Sequence, residues 1–426
     1  MQNADTIFAL STAAGKSGVA LIRVSGADLG QMARAIIGRD NVTPRHAYFT
    51  ALRDGECLID HCVVTYFAAP QSFTGEDVIE ISTHGSPAVV RRVFDYLSAR
   101  FGARMAMPGE FSRRAFNNEK MDLADVDALA ALLDAQTERQ RIQAITAITG
   151  DGARYNAWRT DMVEIAAYAA AMMDYNADDL PANIGEKIGK RIENLHTEIT
   201  DAISRYAAVR AVRSGFNIVL AGPTNAGKSS LFNRILGENR AIVSNIPGTT
   251  RDVVTATIDI DGYMVNIADT AGLRETADEI EQIGIGKTNE QIASADLILN
   301  LGPAMGLENE ITVINKSDSI STRDNTAAIY VSAKTGDGIE NLMSAVHKKM
   351  HELMSRADGA LVLNERTRAM LIDVADNLNR AMELKDNYDL IAEHIRAAAD
   401  AIGRILGTIS VQEVMDATFS QLCLGK

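Results

Sequence analysis

Gly222, then four residues, then Gly227-Lys228-Ser229 is the spacing of a loop that wraps phosphates. Backbone N–H groups of such a loop, and of the helix it opens, point at an anion. Lys228 would reach the β- and γ-phosphates, and Ser229 would ligate magnesium. Four further short motifs follow in order. "PGTTRD" offers Thr250 as a second magnesium ligand. "DTAG" follows a strand-like run, so Asp269 can hold a magnesium-bound water and the Gly272 N–H can meet the γ-phosphate. In "NKSD", Asp318 can accept from the two donors on guanine's edge, which adenine lacks, while Asn315 and Lys316 shape the pocket. Ser332, Ala333 and Lys334 supply the last loop on the base side. Each tetrapeptide alone is common; all of them in this order, each at the C-terminal end of a strand where parallel sheets bind ligands, spell GTP hydrolysis.

The residues expected to touch nucleotide are therefore Asn225, Ala226, Gly227, Lys228, Ser229 and Ser230, then Ser244, Asn245, Ile246, Pro247, Gly248, Thr249 and Thr250. Asp269, Thr270, Ala271 and Gly272 follow, then Asn315, Lys316 and Asp318, then Ser332, Ala333 and Lys334. After Gly272 stands Leu273, where the best-known small GTPases carry a glutamine that orients the attacking water. Leucine cannot hold a water. Glu275, Asp278, Glu279 and Glu281 lie just beyond, and the residues alone do not choose among them. Asn225 by itself suits a turn residue better than an ion ligand.

Three textures must position these groups. Residues 1–118 mix β-branched and aromatic runs ("TIFALST", "VALIRVSG", "CLIDHCVVTYFAA", "DVIEIST") with one helix, "SPAVVRRVFDYLSARFG", which has a Ser start and a Gly stop. This predicts an α+β domain. Residues 119–212 carry apolar positions at helical spacing in "DLADVDALAALLDAQTERQRIQAITAI", "ARYNAWRTDMVEIAAYAAAMMDYNA" and "IGEKIGKRIENLHTEITDAISRYAAVRAV". From 213 to 355 strands and helices alternate, which predicts a Ras-like phosphate-loop domain with a parallel-rich sheet. Residues 356–426 return to helix. The fold class is multidomain α/β plus α, with one helical domain interrupted by the inserted nucleotide domain. Between "LILNLG" and "ITVINK" only "PAMGLENE" intervenes, short for a parallel crossover, so its helix should be vestigial or the link unusually tight.

Composition limits the partners. At 426 residues the chain exceeds one core, so two or three domains are expected. No apolar run reaches the roughly eighteen residues of a membrane span. The N-terminus lacks the basic start and long apolar block of a secretory signal. Three cysteines, Cys57, Cys62 and Cys423, make neither a disulfide framework nor a zinc pattern, which suits a reducing cytoplasm. The 42 basic against 56 acidic residues, a net of −14, argue against a broad grip on nucleic acid but allow a local one. Arg91-Arg92 and Arg113-Arg114 read as solvated surface charge.

The whole chain resembles the MnmE (TrmE) family of tRNA-modifying GTPases. The resemblance rests on "GVALIRVSG", "PQSFTGEDVIEISTHGS" and "RMAMPGEFSRRAFNNEKMDLADVDAL", then on "NAGKSSLFN", "AIVSNIPGTTRDV" and "DTAGLRETADEIEQIGI", and on the tail "LCLGK". Departures are "GPTNAGKS" without the family's usual Pro before Asn, "HGS" for "HGG" and "FNNEK" for "FLNGK". The resemblance implies a homodimer built through an N-terminal folate-binding domain. It implies a heterotetramer with MnmG (GidA), an FAD-binding partner. The pair is expected to add an aminomethyl or carboxymethylaminomethyl group to C5 of the wobble uridine of certain tRNAs. The carbon would come from 5-formyl- or methylene-tetrahydrofolate. Asn225, Ser244, Ile246 and Thr249 then correspond to a potassium cage beside the phosphates, which stands in for an arginine finger. Glu281 is the acid the resemblance selects to orient the water. Arg23, Glu80, Lys120 and the terminal Lys426 correspond to the folate contacts. Cys423 is a nucleophile towards C6 of the uracil ring or a packed apolar residue. The rival function is a ribosome-assembly GTPase switch, which would bring a basic RNA-binding module; a scaffold that uses GTP only to dimerise is a third.

Overall fold

The computed structural model describes residues 5–174, 183–238, 254–269, 291–320, 327–361, 364–384 and 387–408, and the backbone of 240–241. The chain forms two compact units. One comprises Met1–Ala130, Gly152–Arg159 and Asp400–Lys426, the other Ala131–Asp151 and Thr160–Ala399.

In the first unit, strands β1 (Ile7–Leu10), β2 (Ser17–Gly26), β3 (Ala47–Asp54), β4 (Cys57–Phe67), β5 (Asp77–Gly85) and β6 (Arg104–Met105) form one sheet. Their order is β3-β4-β5-β2-β1-β6. Neighbours run antiparallel except β1 and β6. Side chains alternate between faces along a strand. Ile22, Val24, Ile79 and Ile81 therefore share one face, where they bury against Met32 and Ile36 of helix α1 (Gly30–Ile37) and Val93 and Leu97 of α2 (Pro87–Phe101). The expected glycine stop of α2 is Gly102, left-handed at φ 63, though Ser86 at its start makes no side-chain cap. Helices α1 and α3 (Glu110–Asn117) add to the single helix expected here. At eight residues each they are about two turns long, too short for periodicity to announce them.

Helix α4 (Leu123–Asp134) is followed by α5 (Glu138–Asp174). The break between them is closed by Gln140, whose Oε1 accepts from Gln136 N at 2.8 Å and Thr137 N at 3.0 Å. The run 122–148, read as one helical stretch, is broken at 135–137, and its second part joins the next run in one helix of 37 residues, continuous through Gly150 and Gly152. Gly152 has a packing reason: a Cβ there would lie 2.4 Å from Asp122 Oδ2. Helix α6 (Ile184–Ser204) buries Ile188, Ile192, Leu195 and Ile199, and α7 (Tyr206–Ser214) follows it.

The second sheet contains β7 (Phe216–Ala221), β8 (Arg240–Ala241), β9 (Val254–Ile260), β10 (Tyr263–Asp269), β11 (Leu297–Asn300), β12 (Glu310–Ile314) and β13 (Ile329–Tyr330), in the order β13-β12-β11-β7-β10-β9-β8. Five strands from β13 to β10 are parallel and β9 and β8 are antiparallel, the parallel-rich sheet expected. The hairpin of β9 and β10 runs in register from Tyr263 opposite Ile260 to Asp269 opposite Val254. Helices α8 (Lys228–Glu238) and α9 (Ile339–Met354) cover one face with Leu231, Phe232, Ile235, Leu342 and Val346. The link from β11 to β12 is tight, as its length required: residues 301–309 contain no helix. Helices α10 (Glu365–Glu383) and α11 (Tyr388–Leu406) follow. Helix α10 packs on α6, so helical segments from both sides of the sheet domain meet. No helix among the described residues is long and apolar enough to cross a membrane.

Candidate functional site

The buried strand β7 ends at Ala221, and a loop carries the chain to Lys228 at the start of α8. Two glycines are obligatory in that loop. Gly222 has φ 133, and a Cβ on it would meet the Leu301 backbone at 2.9 Å; Gly227 has φ 91, and a Cβ would sit 2.2 Å from Asn315 Nδ2. Asn225 also takes a left-handed conformation, at φ 63, which asparagine tolerates better than most side chains. Lys228 is buried, and its ammonium donates to Gly222 O and Pro223 O, both at 2.9 Å. Ser230 and Asn225 are exposed.

The motif loops converge on this one. Ser229 Oγ donates to Asp269 Oδ2 at 2.5 Å, which joins the head of α8 to the end of β10. Asn315 is the hinge of the base side. Its Nδ2 donates to Ala226 O at 3.2 Å and Gly227 O at 3.3 Å, and its Oδ1 accepts from Lys316 N at 2.8 Å and Ala333 N at 3.1 Å. Lys316 Nζ reaches Asn225 O at 2.9 Å. Asp318 Oδ1 accepts from Ser332 Oγ at 2.7 Å. That hydroxyl, with Lys334 adding a weaker attraction, holds the Asp318 carboxyl below the usual range. The loop Ser332–Lys334 is thus tied to both Asn315 and Asp318. Ser244, Asn245, Ile246, Pro247, Gly248, Thr249, Thr250, Thr270, Ala271, Gly272 and Glu281 lie outside the described residues, as do Cys423 and Lys426.

In the first unit Arg23 and Glu80 stand opposite one another on β2 and β5. Arg23 donates to Glu80 Oε1 through Nε at 3.0 Å and Nη2 at 2.8 Å, and its guanidinium lies 5.0 Å from the Phe73 ring centroid. Lys120 is exposed, and a Cβ on Gly75 would touch its Cε at 3.3 Å. The loop from Phe73 to Glu76 therefore borders both Arg23 and Lys120. Sequence reasoning missed the group behind this loop. Arg114, read as solvated surface charge, is 2% exposed. It pairs with Glu76 at 2.9 Å, Asp5 at 2.9 Å and Glu110 at 3.2 Å. Glu110 lies one helical turn before Arg114 on α3, but Asp5 and Glu76, which complete its burial, come from two distant segments. Arg92, by contrast, is half-exposed and pairs with Asp54 at 2.6 Å, as a surface charge should.

A glycine loop between a parallel strand and a helix, backed by an acidic strand end and two base-side loops, defines a phosphate-loop GTPase. Comparison with known proteins narrows this. Residues 6–120 match the model of the GTP-binding protein TrmE N-terminus, and residues 123–423 that of the MnmE helical domain. The tRNA modification GTPase MnmE of Parvibaculum lavamentivorans is 40% identical over 99% of this chain and 100% of its own. Those of Roseobacter denitrificans and Dinoroseobacter shibae are each 39% identical, again over 99% of this chain and 100% of theirs. The chain belongs to the MnmE family of tRNA modification GTPases.

Proposed function

We propose that the chain hydrolyses GTP in the service of tRNA wobble-uridine modification, with the motif residues in the roles their positions suggest. The observation that carries the reading is Asn315, which joins the phosphate loop, the Asp318 loop and the Ser332 loop through one carboxamide. Asp318 selects guanine. Lys228 leaves Gly222 and Pro223 to meet the phosphates. The side chains of Ser229 and Asp269 meet at 2.5 Å, a hydroxyl and a carboxylate of the kind a hard divalent cation takes, so Ser229 and Thr250 would hold magnesium. Asn225 would hold potassium with Ser244, Ile246 and Thr249, and the ion supplies positive charge beside the phosphates. Glu281 orients the water whose oxygen bonds the γ-phosphorus as the bond to the bridging oxygen breaks.

The same reading gives Arg23, Glu80, Lys120 and Lys426 a tetrahydrofolate derivative. Glu80 suits a pterin's amide-and-amine edge, and the basic groups suit a glutamate tail. Residues 1–118 are the folate and dimerisation domain, 119–212 and 356–426 the two parts of the helical domain, and 213–355 the GTPase domain. The partners are a second copy, the FAD-binding MnmG (GidA) and tRNA, in the cytoplasm. Cys423 is either a nucleophile for the uracil ring or a packing residue. Two measurements test the proposal. Nucleoside analysis of tRNA from cells lacking the chain should show unmodified C5 at the wobble uridine, restored by complementation. Single-turnover hydrolysis should be fast in potassium, slow in sodium and slowed about 10²–10⁴-fold by Glu281→Ala with nucleotide binding kept. Equal rates in both salts would overturn the potassium assignment.

A further inference from the structure

The connection between adjacent parallel strands normally needs a dozen or more residues and runs through a helix. Between β11 and β12 it has neither, and another device holds it. Glu310, the first residue of β12, is that device. Its Oε1 accepts from Asn300 Nδ2 at 2.6 Å and Met305 N at 3.1 Å; its Oε2 accepts from Met305 N at 2.9 Å and Leu307 N at 3.3 Å. Burial pushes the Glu310 carboxyl up, but Asn300 and the loop amides together bring it below the ordinary range. Asn300, the last residue of β11, is 2% exposed. It also donates to Pro303 O at 2.7 Å and accepts from Gly302 N at 2.9 Å.

Gly302, fixed in this way, lies against the start of the loop after β7. A Cβ on Gly302 would stand 3.0 Å from Pro223 Cδ, and one on Gly222 would stand 3.2 Å from Gly302 N. Leu301 N donates to Ala221 O at 2.8 Å, which pins the same junction. Gly222 and Pro223 are the two residues whose carbonyls hold the Lys228 ammonium. Glu310 thus fixes Asn300, Asn300 fixes Gly302, and Gly302 is the floor under the residues that seat Lys228. We infer that Asn300 and Glu310 are positioning residues for GTP binding, which take over from the absent crossover helix the task of backing the phosphate loop. This rests on the reading of residues 222–229 as that loop.

The test uses the full chain with Asn300→Ala, Glu310→Ala, Glu310→Gln and Gly302→Ala. Asn309→Ala is the control within the same link, because its Nδ2 donates to Ala295 O at 2.8 Å rather than to the Glu310 carboxylate. Titrations with GDP and a non-hydrolysable GTP analogue, steady-state kcat and KM, and thermal midpoints are measured for each. Asn300→Ala and Glu310→Ala should weaken GDP and GTP binding and raise KM about tenfold, the scale of one lost hydrogen bond to a charged group, with kcat changing less. Preference for GTP over xanthosine triphosphate should persist, since the Asp318 loop is untouched. Glu310→Gln, which keeps an acceptor for Asn300, should recover most of the affinity, and Asn309→Ala should bind normally. If Glu310→Ala does not fold, Gly302→Ala decides, because it presses a Cβ on Pro223 while leaving the carboxylate in place; it too should raise KM. Normal binding in Asn300→Ala and Gly302→Ala, or an equal loss in Asn309→Ala, overturns the inference. Lys228→Ala separates the two readings: if it binds GTP normally, the phosphate-loop assignment itself is wrong.

Discussion

Around Asn315 a neutral carboxamide bonds four backbone groups of three loops. Around Arg114 a buried guanidinium is matched by Asp5, Glu76 and Glu110, and Glu110 is shared with Arg104 at 2.6 Å. The two networks are equally dense and differ in material. Neutral groups can hold loops in shape while leaving the space beside them free for a highly charged ligand. Full charges that already match one another have little left for a ligand and much to lose when broken. The first network should therefore fail in function and the second in stability.

The largest effect expected is on stability. Arg114→Ala leaves three carboxylates without their central cation and should cost about 3–5 kcal/mol, read as a fall in the thermal midpoint of the first unit. Acid should sharpen the contrast. Burial raises the Glu110 carboxyl, but the Arg104 hydrogen bond, the Met107 amide and Arg114 lower it further, and the net position is below its ordinary value. A depressed carboxylate stabilises fully above its unfolded value and loses that contribution as pH falls through the folded one. The unaltered protein should therefore lose midpoint steadily below the ordinary glutamate range, and Arg114→Ala should flatten that slope. GTP binding per folded molecule should stay normal; a specific loss of binding would erase the distinction between the networks.

Next comes Lys228→Ala, which should reduce hydrolysis about 10²–10³-fold with little change in midpoint. Asp318→Asn should weaken GTP binding by about 1.5–3 kcal/mol and shift preference to xanthosine triphosphate, checked by competition titration. The smallest effect expected is at Arg23, which is partly exposed and pairs with Glu80. Arg23→Ala should cost about 1 kcal/mol or less, while a tetrahydrofolate titration should lose its signal. Unchanged folate binding would leave the Arg23–Glu80 pair as a sheet contact only.

Much of this contrast was legible in advance, but unevenly. The phosphate loop could be read because its chemistry lies within eight consecutive residues, Gly222 to Ser229, bounded by a strand and a helix. The tight link between β11 and β12 could be anticipated from chain length alone. Its replacement by Glu310 could not, because a lone glutamate at a strand start looks like any surface acid. The Arg114 network was invisible for the same reason on a larger scale: Glu110 is one turn away on α3, but Asp5 and Glu76 reach Arg114 only in the folded unit. The joining of the end of one helical run to the next in α5 is hard to read because Gly150 and Gly152 look like a stop, whereas Gly152 makes room for Asp122. Strand β3, "AYFTALRD", was not singled out, since its apolar residues do not alternate cleanly and its end is charged.

The hairpin of β9 and β10 ends on a single rung, with Asp269 opposite Val254. The chain enters β9 at Val254 and leaves β10 at Asp269, so the start of one strand and the end of the other share that rung. Neighbouring strands stand about 4.8 Å apart, so the two attachments are nearly one place. Slipping the register by a residue would turn every side chain of a strand to the wrong face, so Val254 and Asp269 are held in step. In the language of timing, the two strand ends keep one clock.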